Sequence, residues 1–492
     1  MSEKSPLVTS LKENLTKLKC EFANSADLVI REIHVAGYDA AVVTVEGMID
    51  RHAVADAVIL PLVQLKQSFS EPSFVFDYVK EHVLGIVDIL EAKDTQTLSE
   101  LIVSGFVAVL VDGVDTAVLG GMQAFMIRSI GEPSTEATIR GSREGFTEAV
   151  RINMSMIRRR LKTPQLMFET LTVGTTSQTA VCLCYLRDRV SRRLLCDIRR
   201  KIQNCPLETV LDSGYLQPFL EEKQHAPFTG VSTTERPDTL CGKMAEGRIG
   251  VLVDGSPFAL VIPYLFVEHF QSMDDYTQQP LYVGFIRIIK YVAFFVSLFL
   301  PGVYVAIGTH HAEMLPSVLM LSFVNSERST PFPLTFEALL IHFVFEIMRE
   351  AGLRFPKSVG HAVSIVGALV IGESAVRAGL VGAPMIIIVA LTSISAFVIP
   401  SLYGNIVTLR FAFIVLGGTL GIYGVLLGAL LLFCSVCSVN IDTIPYTAPI
   451  TPFSLKAMRD VFVRAGWPVM GKRRFQVQNV VGSNIKDGEG NG

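Results

Sequence analysis

The residues with chemistry to offer are few, and their surroundings are unusual. Glu337, Glu346 and Glu350 fall in the otherwise apolar helical stretch Phe336 to Gly352. Carboxylates on a water-filled path attract cations, as acidic rings do in cation channels; lying at headgroup level they would only be solvated, and the pattern leaves both options open. Glu373 and Arg377 stand at i, i+4 in another apolar stretch, a spacing that forms an ion pair on a helix. Charge inside a membrane is costly, so this pair should face protein or a pore, as a lock between helices or a gate. Arg140, Arg143 and Glu144 lie in a dense polar segment and are candidates for an interface or coupling role. His310-His311 lacks the further ligands of a metal site and reads as a pair of interfacial histidines.

Other signals point away from catalysis. The eight cysteines (Cys20, Cys182, Cys184, Cys196, Cys205, Cys241, Cys434, Cys437) show no metal-ligand spacing and are expected to be free thiols in a reducing compartment. Asp112-Gly113 and Asp254-Gly255 are what tight hairpin turns demand. Neither the Walker phosphate-loop pattern nor the dinucleotide-binding glycine pattern occurs. With no nucleophile beside a base and no cofactor fingerprint, the expectation is a protein that is not an enzyme and carries no cofactor. The net charge of −3 gives no reason to expect nucleic acid as a partner.

The elements that position these residues divide the chain in two. Before about residue 280 the sequence is dense in charge and has no apolar run of the ~20 residues that spanning requires. From Ser358 to Asn440, Glu373, Arg377 and Arg410 carry the only formal charges. Apolar segments at about 286–308, 359–381, 383–404 and 407–437 predict four spans, with Phe336 to Gly352 as an interfacial or re-entrant helix because it is short and charged. The basic residues Lys456, Arg459, Arg464, Lys472, Arg473 and Arg474 belong on the cytoplasmic face. The N-terminal stretch lacks an apolar signal core, so the soluble half is expected on that same side and the span count should be even. Gly417, Gly418, Gly421, Gly424 and Gly428 would permit close helix packing in the last segment, and Lys290 could snorkel to the surface.

The soluble half repeats itself. Ser104 to Gly113 and Glu246 to Gly255 both end in Val-Leu-Val-Asp-Gly, and each is followed by alternating apolar residues, the mark of a β-hairpin. Residues 31–50 resemble 169–188 in the same way, as two strands around a short polar turn. The predicted organisation is an N-terminal segment (1–24), an α/β subdomain (25–125), a charged linker helix (126–165) and a duplicated α/β subdomain (166–280). A helical transmembrane bundle (281–440) and a cytoplasmic C-terminal segment (441–492) follow. Within the linker, a helix is expected from about Gly145, with Glu144 and Glu148 early and Arg158, Arg159, Arg160 and Lys162 late, an order that complements the helix dipole.

Several long motifs carry a family resemblance. The run EPSTEATIRGSREGFTE continuing to IRRRLKTPQL (132–166) is similar to the signature of A subunits of GerA-type spore germinant receptors. So are residues 235–258, FVEHFQSMDDY (266–276), 336–356, 362–381 and 440–465, whereas Pro468 to Gly492 departs from the pattern. The chain resembles the related stage V sporulation protein AF equally well. The resemblance implies a membrane subunit that forms a homo-oligomer, pentameric in the family. It implies a nutrient-gated conduit for monovalent cations in the spore inner membrane, working with a transporter-like B subunit and a C-subunit lipoprotein. An accessory subunit that amplifies germination and a non-conducting scaffold are the alternatives.

Overall fold

The computed structural model describes residues 5–86, 88–123, 131, 133, 136, 138, 140–222, 226–328, 330–355, 372–442, 444–454, 458–470, 476–481 and 483. Both predicted hairpins are present in each copy. The first sheet comprises β1 (Leu28–Val35), β2 (Tyr38–Val45), β3 (Ile89–Ala92), β4 (Phe106–Val111) and β5 (Ala117–Gly121), in the order β1-β2-β4-β5-β3. The second comprises β6 (Leu166–Val173), β7 (Thr179–Leu186), β8 (Ser232–Thr234), β9 (Ile249–Val253) and β10 (Ala259–Ile262), in the order β6-β7-β9-β10-β8. The order is the same strand for strand, and every pairing is antiparallel. Gly113 and Gly255 both take φ +89°, the left-handed conformation that glycine tolerates in a tight turn.

Helices α1 (Leu11–Glu21) and α2 (Thr95–Ile102) cover one face of the first sheet, burying Leu11, Leu15, Leu18, Leu98 and Ile102 against Val43 and Leu110. In the second copy α3 (Val150–Arg160) and α5 (Pro237–Ala245) do the same, while α4 (Arg192–Gln203) packs on the opposite face. The helix read from the sequence as a linker is therefore the second copy's counterpart of α1. It starts at Val150 rather than near Gly145 because Asp254, in the hairpin turn, accepts a bond from Val150 N (3.0 Å); Asp112 likewise accepts from Leu11 N (2.8 Å). Asn14 and Asn153 each brace the entry to their helix through paired bonds to the backbone six residues earlier, at Val8 and Thr147. The copies are joined by Arg158, whose buried guanidinium lies 2.7 Å from Asp27 and also donates to the carbonyls of Thr163 and Leu166.

Among the described residues two helices are long and apolar enough to cross a bilayer, at Pro280–His310 and Pro400–Cys437. The second is not one rod. Within α10 (Tyr403–Cys437), Gly421 adopts φ +63°, ψ −149°, and the chain reverses there. A straight helix would hold residues 413 and 428 about 22 Å apart. Here a Cβ on Gly428 would meet Phe413 at 2.9 Å and Leu416 at 2.7 Å, so the two arms lie antiparallel. The expected single span at 407–437 is corrected to a helical hairpin, because the glycine stripe lets the arms touch where any side chain would hold them apart.

The remaining helices run between the ends of this hairpin. α6 (Pro280–His310) begins beside the second sheet, packs Gly302 on Phe413 and Gly417, and ends with His310 Nε2 donating to Gly418 O (2.9 Å). The short α7 (Ser317–Arg328) lies at that far end, with Phe323 beside Gly308. α8 (Leu334–Arg354), expected as an interfacial or re-entrant helix, starts at the far end beside Gly308 and Gly418 and returns to place Glu346 against Tyr403 at the sheet side. α9 (Ala383–Phe397) also returns from the far end, where Gly382 bonds Glu337, to Phe397, stacked on Tyr403. Most of the predicted segment 359–381 lies outside the described residues; 372–377 is helical.

If Arg158 holds the two copies together, substituting Met should leave the Asp27 carboxylate buried and unpaired. The expected cost is about 3–5 kcal/mol, largely recovered in the double variant Asp27→Asn/Arg158→Met. Thermal unfolding of the purified full-length chain reads this directly. A loss under about 1 kcal/mol, the scale of a surface pair, would show that the copies are joined elsewhere.

Candidate functional site

The second copy and the bundle share one hydrophobic core. Phe228, Phe266 and Phe270 from the sheet side pack with Tyr291 and Phe294 of α6, Val436 of α10 and Tyr446 beyond it. Edge-to-face contacts of this kind fix ring orientation as well as burying area. The first sheet, by contrast, closes its core on its own helices.

Buried ion pairs surround that shared core. Arg248, at the start of β9, donates to Pro263 O (3.1 Å) and pairs with Glu246 and Glu268. Glu268 also receives Lys243 Nζ (2.5 Å) and Leu265 N (2.7 Å). Burial would raise its pKa, but the Arg248 and Lys243 charges outweigh this and hold it below the ordinary carboxylate value. Arg287, on the first turns of α6, bonds Asp275 (2.7 Å) and Asp460 (2.9 Å). Asp460 in turn accepts from Tyr276 Oη (2.9 Å), and Arg464 donates to the carbonyls of Asp275 and Gln278. The segment after the bundle is thus clamped to the segment that enters it. Lys290, expected to snorkel outward, points into this cluster and bonds Ser272 (3.2 Å). His269 completes the junction, its ring nitrogens 2.9 Å from Ser401 Oγ and 3.1 Å from Tyr446 Oη. Burial pushes its pKa down to about 4.

Arg140, Arg143 and Glu144 do not form one cluster. The Arg140 backbone bonds Asp274 (3.2 Å) and Thr277 (3.5 Å), just ahead of α6. Glu144 turns to α3, with Arg159 at 2.5 Å and Arg160 at 2.7 Å, and those charges lower its pKa against the effect of partial burial. Arg143 is exposed. The anchor of this stretch is Arg236, which bonds Glu136 O, Thr138 and Ser142 O as well as Asp238.

The bundle carboxylates are also separate. Glu337 is buried at the far end, where it accepts from Gly382 N (2.7 Å) and caps α9. Glu346 lies nine residues later, toward the sheet side, between Arg349 (2.8 Å), Tyr403 Oη (2.9 Å) and Arg410 (4.0 Å). Glu350 is half exposed and held by Arg354 (2.7 Å). A single acidic cluster is therefore excluded for this chain alone: on α8, residues 337 and 346 point to opposite sides. The Glu373–Arg377 pair forms at 2.5 Å, and both side chains are more than half exposed. Among the described residues no group of three or more His, Cys, Asp or Glu is placed to hold a metal. The cysteines are free thiols.

The junction arginines escaped the sequence reading because a charge-rich stretch ahead of an apolar segment looks like an ordinary solvated surface. One signal was available: FVEHFQSMDDY places Glu268, His269, Asp275 and Tyr276 within a few residues of the first span.

The junction should be sensitive to acid. The folded pKa of His269 lies below the ordinary 6.5, so the unfolded chain takes up a proton first, and stability falls as pH drops from 6.5 toward about 4. Glu268, shifted below its ordinary 4.5, adds a further loss as pH falls through its folded value. The unfolding midpoint of the full-length chain, followed across this range, should decline in the wild type and flatten between pH 6.5 and 4 in His269→Gln. Equal slopes in both would mean that the ring titrates as it does in water.

Comparison with known proteins adds a lineage to this geometry. A family model described as "Bacillus/Clostridium GerA spore germination protein" matches residues 16–475. Spore germination protein KA of Bacillus subtilis (strain 168) is 37% identical over 469 residues, covering 94% of this chain and 86% of that protein. GerLA of Bacillus cereus is 33% identical over 460 residues, covering 92% and 93%. The crystal structure of the N-terminal domain of the A subunit of the Bacillus megaterium spore germinant receptor GerK3 aligns with TM-score 0.42 and 29% identity, covering 54% of this chain and 98% of that one. A match over nearly the whole length places the chain in the GerA family of spore germination proteins.

Proposed function

We propose that this chain is the A-type membrane subunit of a spore germinant receptor and works as part of an oligomeric, nutrient-gated conduit for monovalent cations. The observation that carries the reading is the shared core and ion network between the second sheet and the bundle. A domain that must bias the packing of membrane helices needs such a continuous connection, since coupling travels through packed side chains and charge networks. A ligand shifts the bundle only by its differential affinity for the two arrangements. The nutrient is assigned to a transporter-like B subunit, with a lipoprotein C subunit as the third partner. The homo-oligomer is taken as pentameric on family resemblance.

The bundle is read as spanning the spore inner membrane, with the sheets and the C-terminal segment on the cytoplasmic side. The helices α6, α8 and α9 and the two arms of α10 each run between the same two ends, and the chain enters and leaves at the sheet side. An even number of passes follows, and the five described courses already exceed the expected four. The candidate ion path is the sheet-side end of α8, at Glu346 and Glu350, with Glu337 at the opposite end. Arg140 is a coupling contact to the start of α6.

One observation favours the scaffold or accessory alternative. Each of the three candidate carboxylates already has a partner within its own chain. The deciding experiment measures monovalent-cation release from spores of the source organism after nutrient addition, in the wild type, a deletion and Glu346→Gln. The conduit reading expects no release from the deletion and, at normal protein level, a release rate changed several-fold by the substitution. A deletion that only slows release, with a silent substitution, transfers the role to an accessory subunit or scaffold.

A further inference from the structure

Among the described buried arginines Arg410 is the one inside the bundle, away from the junction where Arg287 and Arg464 also keep unpartnered donors. Its side chain is 1% exposed in the middle of the bundle, yet it is poorly satisfied: Nε donates to Ser297 O (3.0 Å), the nearest carboxylate oxygen, on Glu346, is 4.0 Å away, and Nη2 has no partner among the described residues. Glu346 is meanwhile claimed by Arg349 and by Tyr403, over whose ring Arg349 also lies (4.5 Å). Arg349 also reaches Glu350 (3.5 Å), so two guanidinium groups share Glu346 and Arg410 has the weaker hold on it. Buried charge with incomplete compensation is costly and persists only where the surrounding fold imposes it.

One turn further along α8, His342 offers the complement. It is 1% exposed, and its Nδ1 is 2.9 Å from Ala338 O. A carbonyl can only accept, so Nδ1 carries the proton, and the neutral ring presents a bare lone pair at Nε2. That Nε2 also lacks a partner among the described residues. His342 lies at i, i+4 from Glu346 on the same helix face, and its ring is 6.4 Å from that of Phe411, the residue after Arg410. An unused donor and an unused acceptor therefore flank the same carboxylate on facing helices.

We infer that Arg410 is the electrostatic gate of the cation path at Glu346, and that His342 is its alternative acceptor. The inference rests on the conduit reading above. In the arrangement seen, the guanidinium lies beside the carboxylate and repels any cation approaching it, which closes the path. A shift of α10 against α8 by about one helical turn would carry Nη2 to His342 Nε2. That move satisfies both orphaned atoms and leaves Glu346 free to attract a cation; one-turn displacements between packed helices are an established form of switching.

The test is potassium release from intact spores, with and without nutrient, in the wild type, the deletion, Arg410→Gln, Arg410→Lys and His342→Leu. Arg410→Gln should raise nutrient-independent release by about tenfold or more, the scale of shifting a two-state gate by 1.4 kcal/mol, while Arg410→Lys, which keeps the charge, stays near wild type. His342→Leu, which removes the acceptor, should slow nutrient-triggered release several-fold. Normal levels of Arg410→Gln protein with wild-type spontaneous release would overturn the gate. If that variant fails to accumulate, His342→Leu decides: slowed triggered release supports the inference, and unchanged release overturns it. A deletion that releases potassium normally would instead remove the conduit reading itself.

Discussion

Buried guanidinium groups set the terms on which this molecule holds together. Arg158, Arg236, Arg248, Arg287, Arg410 and Arg464 are its largest fully enclosed side chains. An arginine cannot discard its proton, so each must be met by carboxylates and carbonyls arranged around a planar fork. Five of the six sit at joints between parts. Arg158 ties copy to copy, Arg236 the polar stretch to the second copy, and Arg248 the sheet to the turn that leaves it. Arg287 and Arg464 tie the entering helix to the departing segment. The sixth lies inside the bundle; its Nη2 has no partner among the described residues, as is also true of donors on Arg287 and Arg464.

This arrangement gives the two copies unequal standing. The second copy has one sheet face under its own helices and the other merged with the bundle core. Among the described residues the first meets the second by way of Asp27, Ala26 and their neighbours. The contacts with the bundle lie at Phe266, His269 and Arg287, and Arg158 makes the contact with the first copy.

Much of the fold was legible because hairpins declare themselves locally. Alternating apolar residues on either side of Asp-Gly predict both strands and the turn, and the repetition of Val-Leu-Val-Asp-Gly exposes the duplication. What could not be read was the second use of the same aspartates, as caps for α1 and α3 across more than a hundred residues. The matching Asn14 and Asn153 would have tied those helices together, but two shared letters in dissimilar surroundings carry no weight alone. The hairpin in α10 was hidden for a different reason. Apolar composition records solvent and not direction, and one glycine in a glycine-rich helix does not announce a reversal. The coupling arginines were obscured by their own polarity, since nothing local separates a charge that meets water from one that meets Asp460.

The turn at Gly421 bears on how the chain reaches its membrane. A reversal completed at one residue between two apolar arms leaves no hydrophilic loop to be carried through the hydrocarbon. On the spanning reading proposed above, the arms of α10 would enter the bilayer side by side as a closed unit. Their contacts along the glycine stripe would form during insertion, and neither arm would have to exist alone in lipid.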